Sequence, residues 1–199
     1  MEDPVYLDDE QVLRRMLSSE LKQSLPQTAT ASNQFQKDFQ PDDRRELLKW
    51  MRDVCQAEEC QADVFPLSVT IVDRFLSFVK TKRTQLQLLG AVALLLSSKL
   101  RQTQQIPARH LIYYTQDLIT LKELKTWELL VLTTLKWDLA LVTPVDFLDI
   151  LIKRTKITDE HMLQDIEEEA QRMIADCCLG EFPISYESSL LSDPDRAIH

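Results

Sequence analysis

Two pairs of charged residues carry the chemistry this sequence can offer. Glu128 sits among Trp127, Leu129, Leu130 and Val131, and Leu124, Leu132 and Leu135 share its helical face. A carboxylate on such a face is costly unless it is paired. Lys99, at the tip of a long apolar run, is its candidate partner. Asp73 likewise falls between Val72 and Phe75, and Arg44 can answer it. The residues alone leave two readings open. Both pairs can be structural, or a pair at the rim of a core can present a donor and an acceptor to another protein's backbone.

Catalytic chemistry finds no comparable support. There is no Gly-rich phosphate loop, and His110, His161 and His199 are scattered. Cys55, Cys60, Cys177 and Cys178 form no CxxC pair and have no histidines at zinc spacing. No metal or cofactor is expected, and the cysteines read as reduced, small apolar groups packed inside. A formal net charge of −9 argues against a nucleic-acid surface. The short basic run Lys80-Thr81-Lys82-Arg83 reads as a solvated loop rather than an import signal. Met1-Glu2-Asp3-Pro4 leads into no apolar run, so neither a signal peptide nor a membrane partner is expected.

The elements that must position these residues are helices. Among 199 residues there are only two glycines, far below the usual share of about 7%, and β folds need many Gly-dependent turns. The fold class is all-α. Leu86 to Leu100 is apolar or small on every side except Gln87, until Ser97. A helix of that kind is buried by others, and it is shorter than the about 20 residues that cross a bilayer. Gly90, Ala91 and Ala93 leave room for neighbouring backbones.

Around this centre the periodicity predicts a first helix over 7–23, with Asp8, Asp9 and Glu10 in its first turn and Val12, Leu13, Met16, Leu17 and Leu21 as its stripe. A polar linker, 24–32, sets it apart as an arm. A second helix runs from Pro41 to Ala57 through Leu47, Leu48, Trp50, Met51, Val54 and Cys55. A third follows an Asp63 N-cap, with Phe75 and Phe78 on one face and Val72, Leu76 and Val79 on the next. A short helix after Pro107 and a longer one from Leu121 to Trp137 complete a five-helix bundle. Thr143-Pro144 opens another helix. The last, from about Asp159 to Leu179, puts Met162, Ile166, Ala170, Met173, Ile174 and Cys177 on its apolar side, with little left for it to pack against. These two helices read as a second unit cut short.

The set Arg44, Asp73, Leu88, Lys99 and Glu128 resembles the signature residues of the cyclin box, and the two charged pairs have the same sequence separation. Val64-Phe65-Pro66-Leu67, Asp73-Arg74-Phe75-Leu76-Ser77, Leu86-Gln87-Leu88-Leu89-Gly90-Ala91, Ser98-Lys99-Leu100 and Leu135-Lys136-Trp137-Asp138-Leu139 resemble the D-type cyclins, early cell-cycle members of that family. The resemblance runs from about residue 8 to 180. It implies an N-terminal helix and linker (1–33), a five-helix cyclin box around a buried central helix (34–142) and an incomplete C-terminal cyclin-like region (143–199), as in a fragment or a short isoform.

The same resemblance implies a regulatory subunit of a cyclin-dependent kinase, found in nucleus and cytoplasm, that performs no catalysis itself. Lys99 and Glu128 would hydrogen-bond the kinase backbone, with Leu100, Leu132 and Trp137 packing on it. Arg44 and Asp73 would form an internal structural pair. Kinase-inhibitor proteins are implied as further partners. A box-containing scaffold that binds without activating is the alternative, and a nucleic-acid-binding box fits poorly with the net charge.

In members that dock substrates, an apolar patch precedes the Trp. Here Leu47, Trp50 and Gln87 match it, but Asp43 and Glu46 put carboxylates where two apolar walls belong. Weak, salt-sensitive docking is the expectation, with recovery when both are made apolar. The Leu-x-Cys-x-Glu signal of D-type members is absent.

Overall fold

The computed structural model describes residues 10–23, 40–155, 157 and 159–180. Eight α-helices follow in order: α1 (Glu10–Gln23), α2 (Pro41–Ala57), α3 (Val64–Phe78), α4 (Leu86–Arg101), α5 (Ala108–Tyr114), α6 (Leu121–Thr134), α7 (Pro144–Arg154) and α8 (Glu160–Leu179). The first residues expected in α1, the linker 24–32 and the segment after Gly180 lie outside the described residues.

α4 is the buried axis. Leu86 and every residue from Leu88 to Ser98 are inside, and α2, α3, α5 and α6 surround it. Each fully buried Leu or Val here contributes about 1.5–3 kcal/mol of transfer free energy. Gly90 explains how α2 comes so close. A Cβ at that position would stand 2.8 Å from Leu47 Cδ1 and 3.2 Å from Met51 Sδ, inside van der Waals contact.

Polar residues set the helix starts. Thr120 and Glu123 cap α6 reciprocally, with Thr120 N–H donating to Glu123 Oε2 at 2.8 Å and Glu123 N–H to Thr120 Oγ1 at 3.2 Å. At α7 Asp146 Oδ2 accepts from both Thr143 N–H at 2.6 Å and Thr143 Oγ1 at 2.9 Å, and Asp159 accepts from His161 N–H at 3.0 Å at the start of α8. Gly180, at φ 72°, ends α8 in the left-handed conformation that favours glycine.

Several expectations need correction. α6 stops at Thr134, not Trp137, because Lys136 and Trp137 adopt left-handed φ values of 54° and 61° and turn the chain. No Gly or Pro marks that end, and the buried Leu135 prolongs the apolar period past it. Phe78 is 61% exposed, since α3 ends there and the extended Val79 turns back onto the core. Asp63 sits in helical backbone and caps nothing with its side chain.

α8 buries only part of the stripe its pattern suggests, with Ile166, Ala170 and Ile174 half-buried as expected. It packs on α2, α3 and α7, burying Leu179 with Ala175 and Cys178 against the core, while Met162, Met173 and Cys177 are exposed. It therefore leans on the bundle rather than standing apart from it. Burial, with Cys177 and Asp73 nearby, pushes the Cys178 thiol up to about 11, so it stays protonated. α1 touches α7, and its Leu17 and Leu21 face solvent.

Candidate partner-binding surface

The two charged pairs form with different geometry. Arg44 bridges α2 to α3 with two hydrogen bonds, Nε to Asp73 Oδ1 at 2.8 Å and Nη2 to Asp73 Oδ2 at 2.7 Å. Both carboxylate oxygens are used, and the planar fork fixes the crossing of the two helices. Lys99 instead makes one contact, Nζ to Glu128 Oε1 at 2.5 Å, across α4 and α6. Its side chain is 38% exposed and that of Glu128 is 20% exposed. Oε2 of Glu128 and the other Nζ hydrogens have no further hydrogen-bond partner among the described residues. The pair is thus anchored at one point and open at the rest.

Local packing sets that opening. Trp127 rests on Phe75 with ring centroids 6.0 Å apart, which seats α6 on α3 and brings Glu128 to the edge of the core. Lys99 follows Ser98, the last buried residue of α4. Beside the pair, Leu100 is 51% exposed, and Leu132, one turn beyond Glu128 on α6, is half-buried. Trp137, at the turn after α6, is 65% exposed. An exposed leucine next to an open ion pair, with an exposed indole at the end of the same helix, makes a surface that can bury apolar area and exchange backbone hydrogen bonds with another chain. Leu88 is buried in the core of α4, where its role is packing.

The patch around Trp50 is a cavity of about 250 Å³ lined by Asp43, Glu46, Leu47, Trp50, Arg83, Leu86 and Gln87. Asp43 is not the hydrated wall its sequence position suggests. Its Oδ2 accepts from Gln40 N–H at 2.8 Å to cap α2, and its Oδ1 holds Arg83 Nε at 2.7 Å. Leu47 is buried beneath the cavity against the Gly90 position. The Trp50 indole N–H donates to Tyr114 O at 3.3 Å. Glu46 is exposed, the acidic residue of this rim left facing solvent.

Sequence reasoning missed two arginines. Arg101, at the end of α4, grips Asp146 with Nη1 to Oδ1 at 2.6 Å and Nη2 to Oδ2 at 3.0 Å, and donates to Leu141 O at 2.7 Å. Asp63 Oδ2 lies 3.6 Å from the same guanidinium. Arg101 therefore ties the end of α4 to the starts of α3 and α7. Burial raises the Asp146 carboxyl, but hydrogen bonds from Arg101 and Thr143 outweigh it and hold the group below the usual carboxylate range. For Asp63 burial wins over the attraction of Arg101 and leaves it raised. Arg74, on α3, donates Nη1 to Asp138 O at 2.8 Å and Nη2 to Asp138 Oδ2 at 3.1 Å. Asp146 follows Thr143-Pro144 at the capping position, a signal the sequence reading did not use, and nothing in the sequence aims either arginine at its partner.

The family description "Cyclin, N-terminal domain" matches residues 11–140. The chain is 41% identical over 190 residues to the G1/S-specific cyclin-D2 of Xenopus laevis, covering 96% of this chain and 64% of that protein. It is 37% identical to the G1/S-specific cyclin-D3 of Mus musculus, with the same coverage of 96% and 64%. The chain thus spans 64% of the length of these relatives. Among solved structures, a viral cyclin from herpesvirus saimiri superposes with a TM-score of 0.75 at 34% identity, covering 84% of this chain and 72% of that one. No described helix is long and apolar enough to cross a membrane. The chain belongs to the cyclin family, and its likeness runs to the D-type members.

Proposed function

We propose that this chain is the regulatory subunit of a cyclin-dependent kinase, of the class served by D-type cyclins, acting in nucleus and cytoplasm to promote entry into the cell cycle. It performs no catalysis. Its binding energy holds the kinase's Lys–Glu pair and activation loop in the productive arrangement. The observation that carries this reading is the single-point Lys99–Glu128 pair, open next to exposed Leu100, with exposed Trp137 at the turn after α6. Lys99 and Glu128 take the kinase backbone, while Leu100, Leu132 and Trp137 pack on it. Arg44–Asp73 is the internal strut. Residues 34–142 form the first box, and those from 143 belong to a second cyclin-like region. Kinase-inhibitor proteins are further partners.

The cavity around Trp50 is a weak dock for Arg-x-Leu peptides in this reading, because Glu46 keeps its rim hydrated. Glu46→Ile strengthens docking, whereas Asp43→Met forfeits the α2 cap, at about 0.5–2 kcal/mol of stability.

The test is capture of a purified cyclin-dependent kinase, with kinase activity measured on the bound fraction. Lys99→Ala and Glu128→Ala each strand the other charge at the interface and weaken binding by about 2–5 kcal/mol, with a smaller effect on melting. Unchanged affinity in both variants means that the surface is misassigned. Tight binding with no activation favours the scaffold reading.

A further inference from the structure

We propose that Arg74 is a positioning residue for partner binding: it sets the exposed indole of Trp137 by gripping the next residue, Asp138. This rests on the partner surface proposed above and adds a residue that touches none of it.

The turn after α6 is built to aim one side chain. Lys136 and Trp137 are consecutive non-glycine residues with φ of 54° and 61°, a conformation L side chains resist. Such a turn persists only where its surroundings over-determine it. On the near side, Trp137 N–H donates to Leu132 O at 2.8 Å and Lys136 N–H to Thr133 O at 3.1 Å. Leu135 and Leu139, on either side of the turn, are buried at 3% and 4% exposure. Between them Trp137 is 65% exposed, so no core packing fixes the indole from its own side.

On the far side, Asp138 N–H donates to Leu135 O at 3.0 Å and Leu139 N–H to Trp137 O at 3.2 Å. The restraint from outside the turn comes from α3. The Arg74 side chain is only 14% exposed, and its guanidinium reaches both the carbonyl and the carboxylate of Asp138 at 2.8 and 3.1 Å. Holding that carbonyl fixes the plane of the peptide after Asp138, and holding the carboxylate fixes the residue's rotation. Trp137 is joined directly to it. The carboxylate half is 62% exposed and contributes little as an ion pair. The value of the contact is geometric, a fork no lysine can reproduce. Arg74 also follows Asp73, whose carboxylate is held by Arg44, so the reference point is itself rigid.

A double-mutant cycle with a purified cyclin-dependent kinase tests this. Arg74→Gln weakens affinity by about 5–30-fold, within the range that coupled neighbours span. Arg74→Lys recovers part of that loss. Asp138→Ala, at an exposed position that leaves folding intact, produces a smaller loss. In a Trp137→Ala background none of these changes costs further affinity. Without the kinase, the indole NMR cross-peak of Trp137, identified by its disappearance in Trp137→Ala, moves in Arg74→Gln. Equal losses in both backgrounds, or an unmoved cross-peak, overturn the assignment while leaving the partner surface in place. If Trp137→Ala alone leaves affinity unchanged, Trp137 is no part of the partner surface and this assignment falls, while Lys99→Ala and Glu128→Ala test that surface separately.

Discussion

The two halves of α4 are one helix in two environments. Around Gly90 it is enclosed so tightly that a single methyl group would strike Leu47 and Met51. Ten residues on, the last turn carries Lys99, Leu100 and Arg101, exposed or partly exposed, and each of the two charged residues is tied to a different element. Apart from Gln87, which lines the cavity, the first half has no polar side chain to satisfy and supplies transfer energy. The second supplies position, because charged groups at the mouth of a core have specific partners and hence a specific geometry. One helix thereby transmits the rigidity of a dry interior to a surface that can be read by another protein.

The largest test of that contrast is Gly90→Leu. The added side chain has nowhere to go without moving α2, and stability falls by about 3 kcal/mol or more, read as a lower urea midpoint with an unchanged slope. A variant as stable as the parent would show that the enclosed half is looser than its geometry indicates.

Between the halves, adjacent serines separate packing from bonding. Ser98 Oγ donates to Leu95 O at 3.0 Å and accepts from the buried Ile106 N–H at 3.2 Å. Ser97 Oγ is buried with no partner. Ser98→Ala strands the Ile106 amide and costs about 1–3 kcal/mol, whereas Ser97→Ala removes an unmet group and is neutral or stabilising by about 1 kcal/mol. Thermal unfolding of the two single variants decides it, and equal effects would remove the distinction.

The smallest effects lie at Arg101. Asp146 has a lowered folded pKa, so its contribution is present above the unfolded value and is lost as pH falls through the folded one. Asp63 is raised, so its contribution is present in acid and lost as pH rises through its folded value. Asp146→Asn therefore lowers stability at about pH 7, and Asp63→Asn raises it, with both differences shrinking towards about pH 3. Urea midpoints at the two pH values measure this. Same-signed effects would mean that Arg101 does not distinguish its two carboxylates.

What the sequence by itself determined was whatever depends on period and local chemistry. The all-round apolar run had to be the interior axis, since no single face of it prefers water, and Thr143-Pro144 marked the start of α7. Lys99 and Glu128 were legible as anomalies, charges on apolar faces that needed an answer. The tertiary structure alone decided the rest. A sequence pattern cannot say whether a carboxylate is held by one bond or two, and that difference separates the open Lys99–Glu128 pair from the closed Arg44–Asp73 strut. It placed Asp43 in a cap instead of a hydrated wall, turned Phe78 and the methionines of α8 outward, and ended α6 at a left-handed turn with no glycine. Arg74 and Arg101 find partners 64 and 45 residues away, and such reach follows from how helices cross, not from any spacing along the chain.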